Sequence, residues 1–404
     1  MAKYRVRPSG FLRPMADGRK PTAVIPFLSV EENGITAVGD RLTVIGRSIK
    51  KEFSMLRART WHKRGLLLSA VAAWLIVISE PARAWNDAGH MLVARIAWLK
   101  MTPEQRTQVS DVLKKHPHYE SYLTDKCPAD VSREEWAFLR AATWSDYIRP
   151  PKTLNAEKVA THERHKFHRG VWHYVNFPYR AGQKESALPE QPLPNETNIL
   201  DQIDKSEKFL RGRLKTDAGA VPDISHDANR AIRVCWLFHL IGDLHQPLHA
   251  VALVDAKLFP TGDHGDQGGN LLAIRADANA KPQRMHSYWD GILGYDSRFS
   301  SVCDFADLLT RDPTLAPDKL EELATHKQPR DWAAESFAAA KTHAYLDGKL
   351  PLVPYARVDS KEIAADKVPA VSMLDGADSR TLARRRVVLA GNRLAETLNA
   401  ALEH

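Results

Sequence analysis

The sequence predicts an all-α protein: a single, mostly helical domain with long functional loops. Three observations carry this reading. Apolar residues recur at helical spacing through most long segments, runs that alternate apolar with polar residues are scarce, and Asn229 to Leu244 is apolar almost all round, as a central buried helix is.

The first 84 residues stand outside that pattern. Gly65 to Ser79 is an uncharged run of fifteen residues, with Arg57, Arg59, Lys63 and Arg64 before it and Ala82-Arg83-Ala84 after it. A basic flank, a short apolar core and a small-residue exit are the three parts of a secretory signal peptide, and the A-x-A exit places Trp85 first in the processed chain. Fifteen residues fall short of the roughly 20 that a membrane-spanning helix needs, which disfavours an uncleaved anchor. Met55 stands just before the basic flank, and a start there gives a leader of about 30 residues. The expected organisation is a start-site overcall or dispensable extension at 1–54, a signal peptide at 55–84 and one functional domain at 85–404, exported to the periplasm or beyond the cell.

Processing changes the charge. The whole chain carries 57 Lys and Arg against 49 Asp and Glu, but residues 1–84 hold 15 of the basic and 6 of the acidic ones, leaving 42 against 43. No global basic field remains to attract nucleic acid, so any phosphate recognition must be local. The processed chain still has length for one large core. Its cysteines, Cys127, Cys235 and Cys303, permit at most one internal disulfide. Cys235 lies in the apolar run Val234 to Phe238 and reads as a buried thiol, which leaves Cys127 with Cys303 as the candidate pair.

Polar or proline-rich loops are expected at Pro150 to Arg169, Tyr179 to Pro194 and Thr261 to Asn270, long enough to carry function. At the C-terminus Val387, Ala390, Gly391, Leu394, Leu398 and Ala401 form a helical core stripe, and Arg384, Arg385 and Arg386 at its start read as a solvated face.

Histidine and aspartate recur in register. On the central helix His239 and Asp243 are four apart and share a face, and Pro247 then ends the helix so that the chain can bring His249 back. His286 and Asp290 repeat the four-residue spacing. An uncompensated Asp in a dry interior costs several kcal/mol, and a metal ion removes that cost. Asp146 with Arg149, in Trp144 to Arg149, and His173, in Trp172 to Asn176, are further candidates.

These segments, in this order, resemble the S1/P1 nucleases, zinc-dependent single-strand-specific endonucleases that also act as 3'-nucleotidases. The motifs of that family are an N-terminal Trp with a His five residues on, then W-x-D, W-H-Y, H-x-x-x-D-x-x-Q-P-L-H, G-G-N and H-x-x-W-D. Here they are Trp85 and His90, Trp144 to Asp146, Trp172 to Tyr174, His239 to His249, Gly268 to Asn270 and His286 to Asp290. The resemblance implies a phospholipase C/nuclease-like fold and three zinc ions. Asp146, His173, His239 and Asp243 would bind one; His249, His286 and Asp290 another; His90, a bridging Asp243 and the α-amine and carbonyl of Trp85 the third. A free α-amine titrates near 8 and yields its proton to a metal at mild cost, whereas a peptide nitrogen does not serve, so the third site requires cleavage before Trp85.

The implied reaction is hydrolysis of single-stranded DNA and RNA to 5'-phosphorylated products, with 3'-nucleotides as further substrates. Asp146 would orient the attacking water and Arg149 would pair with a non-bridging oxygen, its other reading being a helix C-terminal charge. Tyr174 stands where the family stacks a base, or else packs beside Trp172. Asn176 replaces an acidic base-reading residue of fungal members, Asn270 would shape the site through backbone contacts, and His245 would hydrogen-bond behind a ligand. Two rival readings are a zinc phospholipase C, whose first His lies further from its Trp and whose last ligand is usually Glu, and a non-catalytic periplasmic metal-binding protein. No stable protein partner and no membrane span in the processed chain are expected.

Overall fold

The computed structural model describes residues 85–403 except 183–186, 195–196, 215–220, 222, 260–263 and 374–375. The extension 1–54, the leader 55–84 and the cleavage pattern before Trp85 lie outside the described residues, as do 261–263 of one expected loop and 183–186 of another.

The helices start where sequence places their caps. Asn86 accepts from the Gly89 amide to begin α1 (Asp87–Lys100), and Thr102 and Gln105 form a capping box ahead of α2 (Pro103–Leu113). Next come α3 (Arg133–Ala141) and the single turn α4 (Trp144–Tyr147). The expected loop after Pro150 contains a short helix, α5 (Ala156–Thr161), because Asn155 caps a run of helix formers. Then follow α6 (Ile199–Leu210) and the central α7 (His226–His245), capped by Ser225. The chain continues through α8 (Met285–Asp290), α9 (Phe299–Arg311), α10 (Glu322–Thr325), α11 (Pro329–Ala339), α12 (Tyr355–Asp359) and the long α13 (Gly376–Leu402). The fold is helical, as expected. No helix among the described residues is long and apolar enough to cross a membrane.

From Ala231 onward α7 is buried on every side, because α1, α2, α3, α6, α11 and α13 all pack against it. A helix so enclosed can carry polar side chains only if they find partners, which is what makes His239 and Asp243 informative. Two short sheets position the rest. Strand β1 (Phe177–Tyr179) pairs in parallel with β2 (Val251–Leu253), Phe177 opposite Val251, so the residues just before each strand are brought side by side. Strands β3 (Ala273–Ile274) and β4 (Gln283–Arg284) pair antiparallel and deliver the chain into α8.

Two expectations are corrected here. Cys127 and Cys303 are free thiols, as is Cys235: the Cys127 sulfur faces the carbonyls of Pro128 and Val131 in its own turn, while Cys303 lies on α9. Arg386 is not on a solvated face. It is buried, paired with Glu335 and donating to Ser336 Oγ and the His245 carbonyl, because Glu335 on α11 supplies the anion that allows a guanidinium inside.

Candidate metal centre

Several separate stretches of chain converge beside α7. Helix α1 contributes His90, α4 contributes Asp146, a 3₁₀ turn (Gly170–His173) contributes His173, α7 contributes His239 and Asp243, the turn after Pro247 contributes His249, and α8 contributes His286 and Asp290. All are buried. They fall into three groups, His90 with Asp146 and His239, His173 with His239 and Asp243, and His249 with His286 and Asp290; within each, one donor atom per residue lies within 4.8 Å of the others.

Asp243 is the hinge of the arrangement. Its Oδ1 is 3.1 Å from His90 Nε2, while its Oδ2 is 3.0 Å from His173 Nδ1 and 3.3 Å from His239 Nε2. The His90 ring stacks on His239 with centroids 4.0 Å apart, and Gly242 makes room for it: a Cβ there would stand 2.8 Å from His90 Nδ1.

Backbone carbonyls decide which nitrogen of each ring faces inward. Nδ1 of His239 donates to Ala142 O at 2.7 Å, that of His249 to His173 O at 2.7 Å and that of His286 to Gly268 O at 2.6 Å. A carbonyl only accepts, so Nδ1 carries a proton in each ring, and Nε2 is the nitrogen left to present a lone pair when the ring is neutral. Gly268 adopts φ +60, and a Cβ on it would fall 2.3 Å from the Leu248 carbonyl, so only glycine brings its own carbonyl to His286. Gln246 Nε2 donates to Asp290 Oδ1 at 2.8 Å and orients that carboxylate.

The electrostatics ask for a cation. Burial opposes charge throughout, pushing the Asp290 carboxyl well above the usual range and lowering His286 to about 3 and His173 to about 4. At His239 the carboxylates of Asp243 and Asp146 outweigh burial and raise the ring to about 9. Asp146 Oδ2, Asp243 Oδ1 and Asp290 Oδ2 are buried without a hydrogen-bond donor among the described residues. Imidazole nitrogens and orphaned carboxylate oxygens at these separations fit a divalent metal.

Trp85 is fully buried, and Gly89 leaves space for it, since a Cβ there would be 2.9 Å from Trp85 Cβ. The next residue is pinned twice: the Asn86 amide donates to Asp290 O at 3.1 Å and its Nδ2 to Gly294 O at 2.7 Å.

Above the cluster opens a cavity of about 350 Å³, lined by His173, His249 and His286 and by four further residues the sequence singled out, Arg149, Tyr174, Asn176 and Asn270. Arg149, just past the end of α4, donates through NH2 to Asp146 Oδ1 at 2.8 Å. Tyr174 is half-buried at the cavity wall, not packed away beside Trp172. Sequence reasoning missed His168, His264 and Gln267, which also line it; no spacing marked them, although His168 sits in a histidine-rich stretch. His245 corrects another expectation. It turns away from the cluster, its Nδ1 donating to Ile241 O and its Nε2 accepting from Arg393 at 2.8 Å, because it sits two residues past Asp243 on the far side of α7.

A model of the S1/P1 nuclease family matches residues 85–403. The chain belongs to the S1/P1 nuclease family. No curated protein matches it. As an S1/P1 nuclease it is a metal-dependent hydrolase of phosphodiester bonds with nucleic acid as substrate, and its fold is the helical phospholipase C/nuclease-like one. The three groups of His and Asp found among the described residues lie within the matched ones.

Proposed function

We propose that the processed chain is a three-zinc endonuclease that cuts single-stranded DNA and RNA to 5'-phosphorylated products and also hydrolyses 3'-nucleotides. The observation that carries this reading is the three-group cluster of His and Asp under a single cavity whose wall includes Tyr174 and Arg149. When bound, the zinc ions supply Lewis acidity that brings a water toward ionisation at neutral pH and offsets charge on the phosphate and the leaving 3'-oxygen.

The residues that would hold them are Asp146, His173, His239 and Asp243 for one, His249, His286 and Asp290 for another, and His90, Asp243 and Trp85 for the third. Asp146 Oδ2 orients the attacking water. Arg149, steadied by Asp146, donates to a non-bridging oxygen as charge builds there. Tyr174 stacks an unpaired base, which duplex DNA does not offer, Asn176 faces the nucleotide from the cavity wall, and Asn270 shapes the site through backbone contacts.

Trp85 serves through a free α-amine, so maturation includes a cut after Ala84 by the secretion machinery. The start of the family match at Trp85 supports a nuclease domain that begins there; the extension 1–54, the leader 55–84 and a periplasmic or secreted location rest on the sequence pattern before it. The test compares single-stranded DNA, RNA, duplex DNA, a 3'-nucleotide and phosphatidylcholine with processed protein of measured zinc content. Cleavage of the single strands and the 3'-nucleotide is expected; turnover of phosphatidylcholine alone, or full activity in metal-free protein, overturns the reading.

A further inference from the structure

A second cavity, of about 410 Å³, adjoins the first, and His264 and Gln267 line both. Its wall is formed by Arg284 and Tyr355, with the guanidinium carbon 4.2 Å from the ring centroid. Arg284 also donates to the Asn270 carbonyl at 2.5 Å, so one side chain joins the Asn270 loop of the first cavity to the aromatic wall of the second. The Tyr355 amide is held by Leu271 O at 2.8 Å, which fixes the start of α12 against the site without using the ring. Phe259 and Leu271 add apolar surface, and the exposed Asp359 is the one carboxylate at the rim among the described residues.

Flat aromatic and apolar surface beside a guanidinium and an imidazole is the chemistry that takes a base on its face and a phosphate at its edge. We propose that this second cavity is a subsite for the nucleotide adjoining the one whose phosphodiester is cut, so that the protein grips its strand over at least two consecutive nucleotides. The occupant follows from continuity with the first cavity and from the charge of Arg284. The proposal rests on the nuclease reading of the first cavity.

Tyr355→Ala and Arg284→Gln test it separately, with unfolding temperature and metal content confirming that each variant is intact. Two substrates are compared: an oligothymidylate of about eight nucleotides, which spans both cavities, and bis-p-nitrophenyl phosphate, which needs only the first. The ratio of kcat/KM for the strand to that for the small diester is expected to fall about tenfold in each variant, through KM. An unchanged ratio in both variants overturns the subsite while leaving the nuclease reading intact, and so does an equal loss on both substrates. Wild-type protein that holds metal and cleaves neither substrate overturns the nuclease reading, and the subsite with it.

Discussion

His249 and His286 face each other through their Nε2 atoms at 3.1 Å, although each ring has committed its Nδ1 proton to a backbone carbonyl. Two neutral imidazoles in those tautomers point lone pairs at one another, an arrangement that repels until a cation stands between them or one ring takes a second proton in a buried site. Metal removal should therefore destabilise the fold. Ligand at 100 to 1,000 times its Kd stabilises by about 3 to 4 kcal/mol per site, so the chelated protein should unfold several degrees lower in calorimetry. Identical melting with and without chelator would show that nothing binds there.

Asp243 directs its two oxygens at different histidines, Oδ1 at His90 and Oδ2 at His173 and His239. Asp243→Asn replaces one of those oxygens by an amide that cannot ligate, so it should disturb two sites together. Elemental analysis should find less metal per chain than in a His286→Ala variant, and activity should fall by about a hundredfold or more. Metal content equal to wild type would remove Asp243 from its bridging role.

Gly242 offers a test in which helix propensity and packing have opposite signs. Replacing a mid-helix glycine by alanine ordinarily stabilises by about 1 kcal/mol. Here the added Cβ meets the His90 ring at 2.8 Å, so Gly242→Ala should lower the unfolding temperature and the activity together. A more stable, fully active variant would contradict the placement of His90.

Acid should weaken the metal-free protein. Burial lowers His168 and His286 to about 3 and His173 to about 4, from an ordinary 6.5. Between 6.5 and those values the unfolded chain binds protons that the folded chain refuses, so stability is present above 6.5 and is lost as pH falls. Asp266, raised to about 7 by burial, works the other way, as do Asp290, raised by burial, and His239, raised to about 9 by the carboxylates of Asp243 and Asp146: each holds a proton in the fold that the unfolded chain gives up. The lowered histidines outnumber these three, since His90, His245 and His249 are lowered too. Each net proton is worth about 1.4 kcal/mol per pH unit, so urea midpoints should drop between about pH 7 and about pH 5. A midpoint that rises over that interval would reverse the assignment.

Glu335 pairs with both Arg386 and Arg393 behind α7, and those arginines in turn reach the His245 carbonyl and ring. Removing the carboxylate leaves two buried guanidiniums without their anion, so Glu335→Gln should cost about 3 to 5 kcal/mol. Because this network lies away from the cavity, kcat of the folded fraction should change little. A large loss of kcat at unchanged stability would tie the network to catalysis instead.

Much of the cluster was legible before folding. The four-residue spacings of His239 with Asp243 and His286 with Asp290 put each pair on one helix face, and a His and an Asp sharing a face of a largely apolar helix signal a ligand. The roles of Gln246, Gly242 and Gly268 were not legible, because each depends on what packs against it: an amide must find Asp290, a missing Cβ must meet His90, and a carbonyl must reach His286. Arg386 and His245 were misread for the same reason. Their partners, Glu335 and Arg393, lie 51 and 148 residues away in the chain, and α11 and α13 bring them in.

By itself, then, the sequence determined the helical class, the identity of the buried donors and which of them share a helix face, because hydrophobic periodicity and side-chain chemistry are local properties. The tertiary structure alone decided how those donors combine. The parallel pairing of β1 with β2 seats His249 on the His173 carbonyl, and β3 with β4 swings His286 opposite His249. Such contacts join residues far apart along the chain, and their geometry is set by the packing of the whole core around α7.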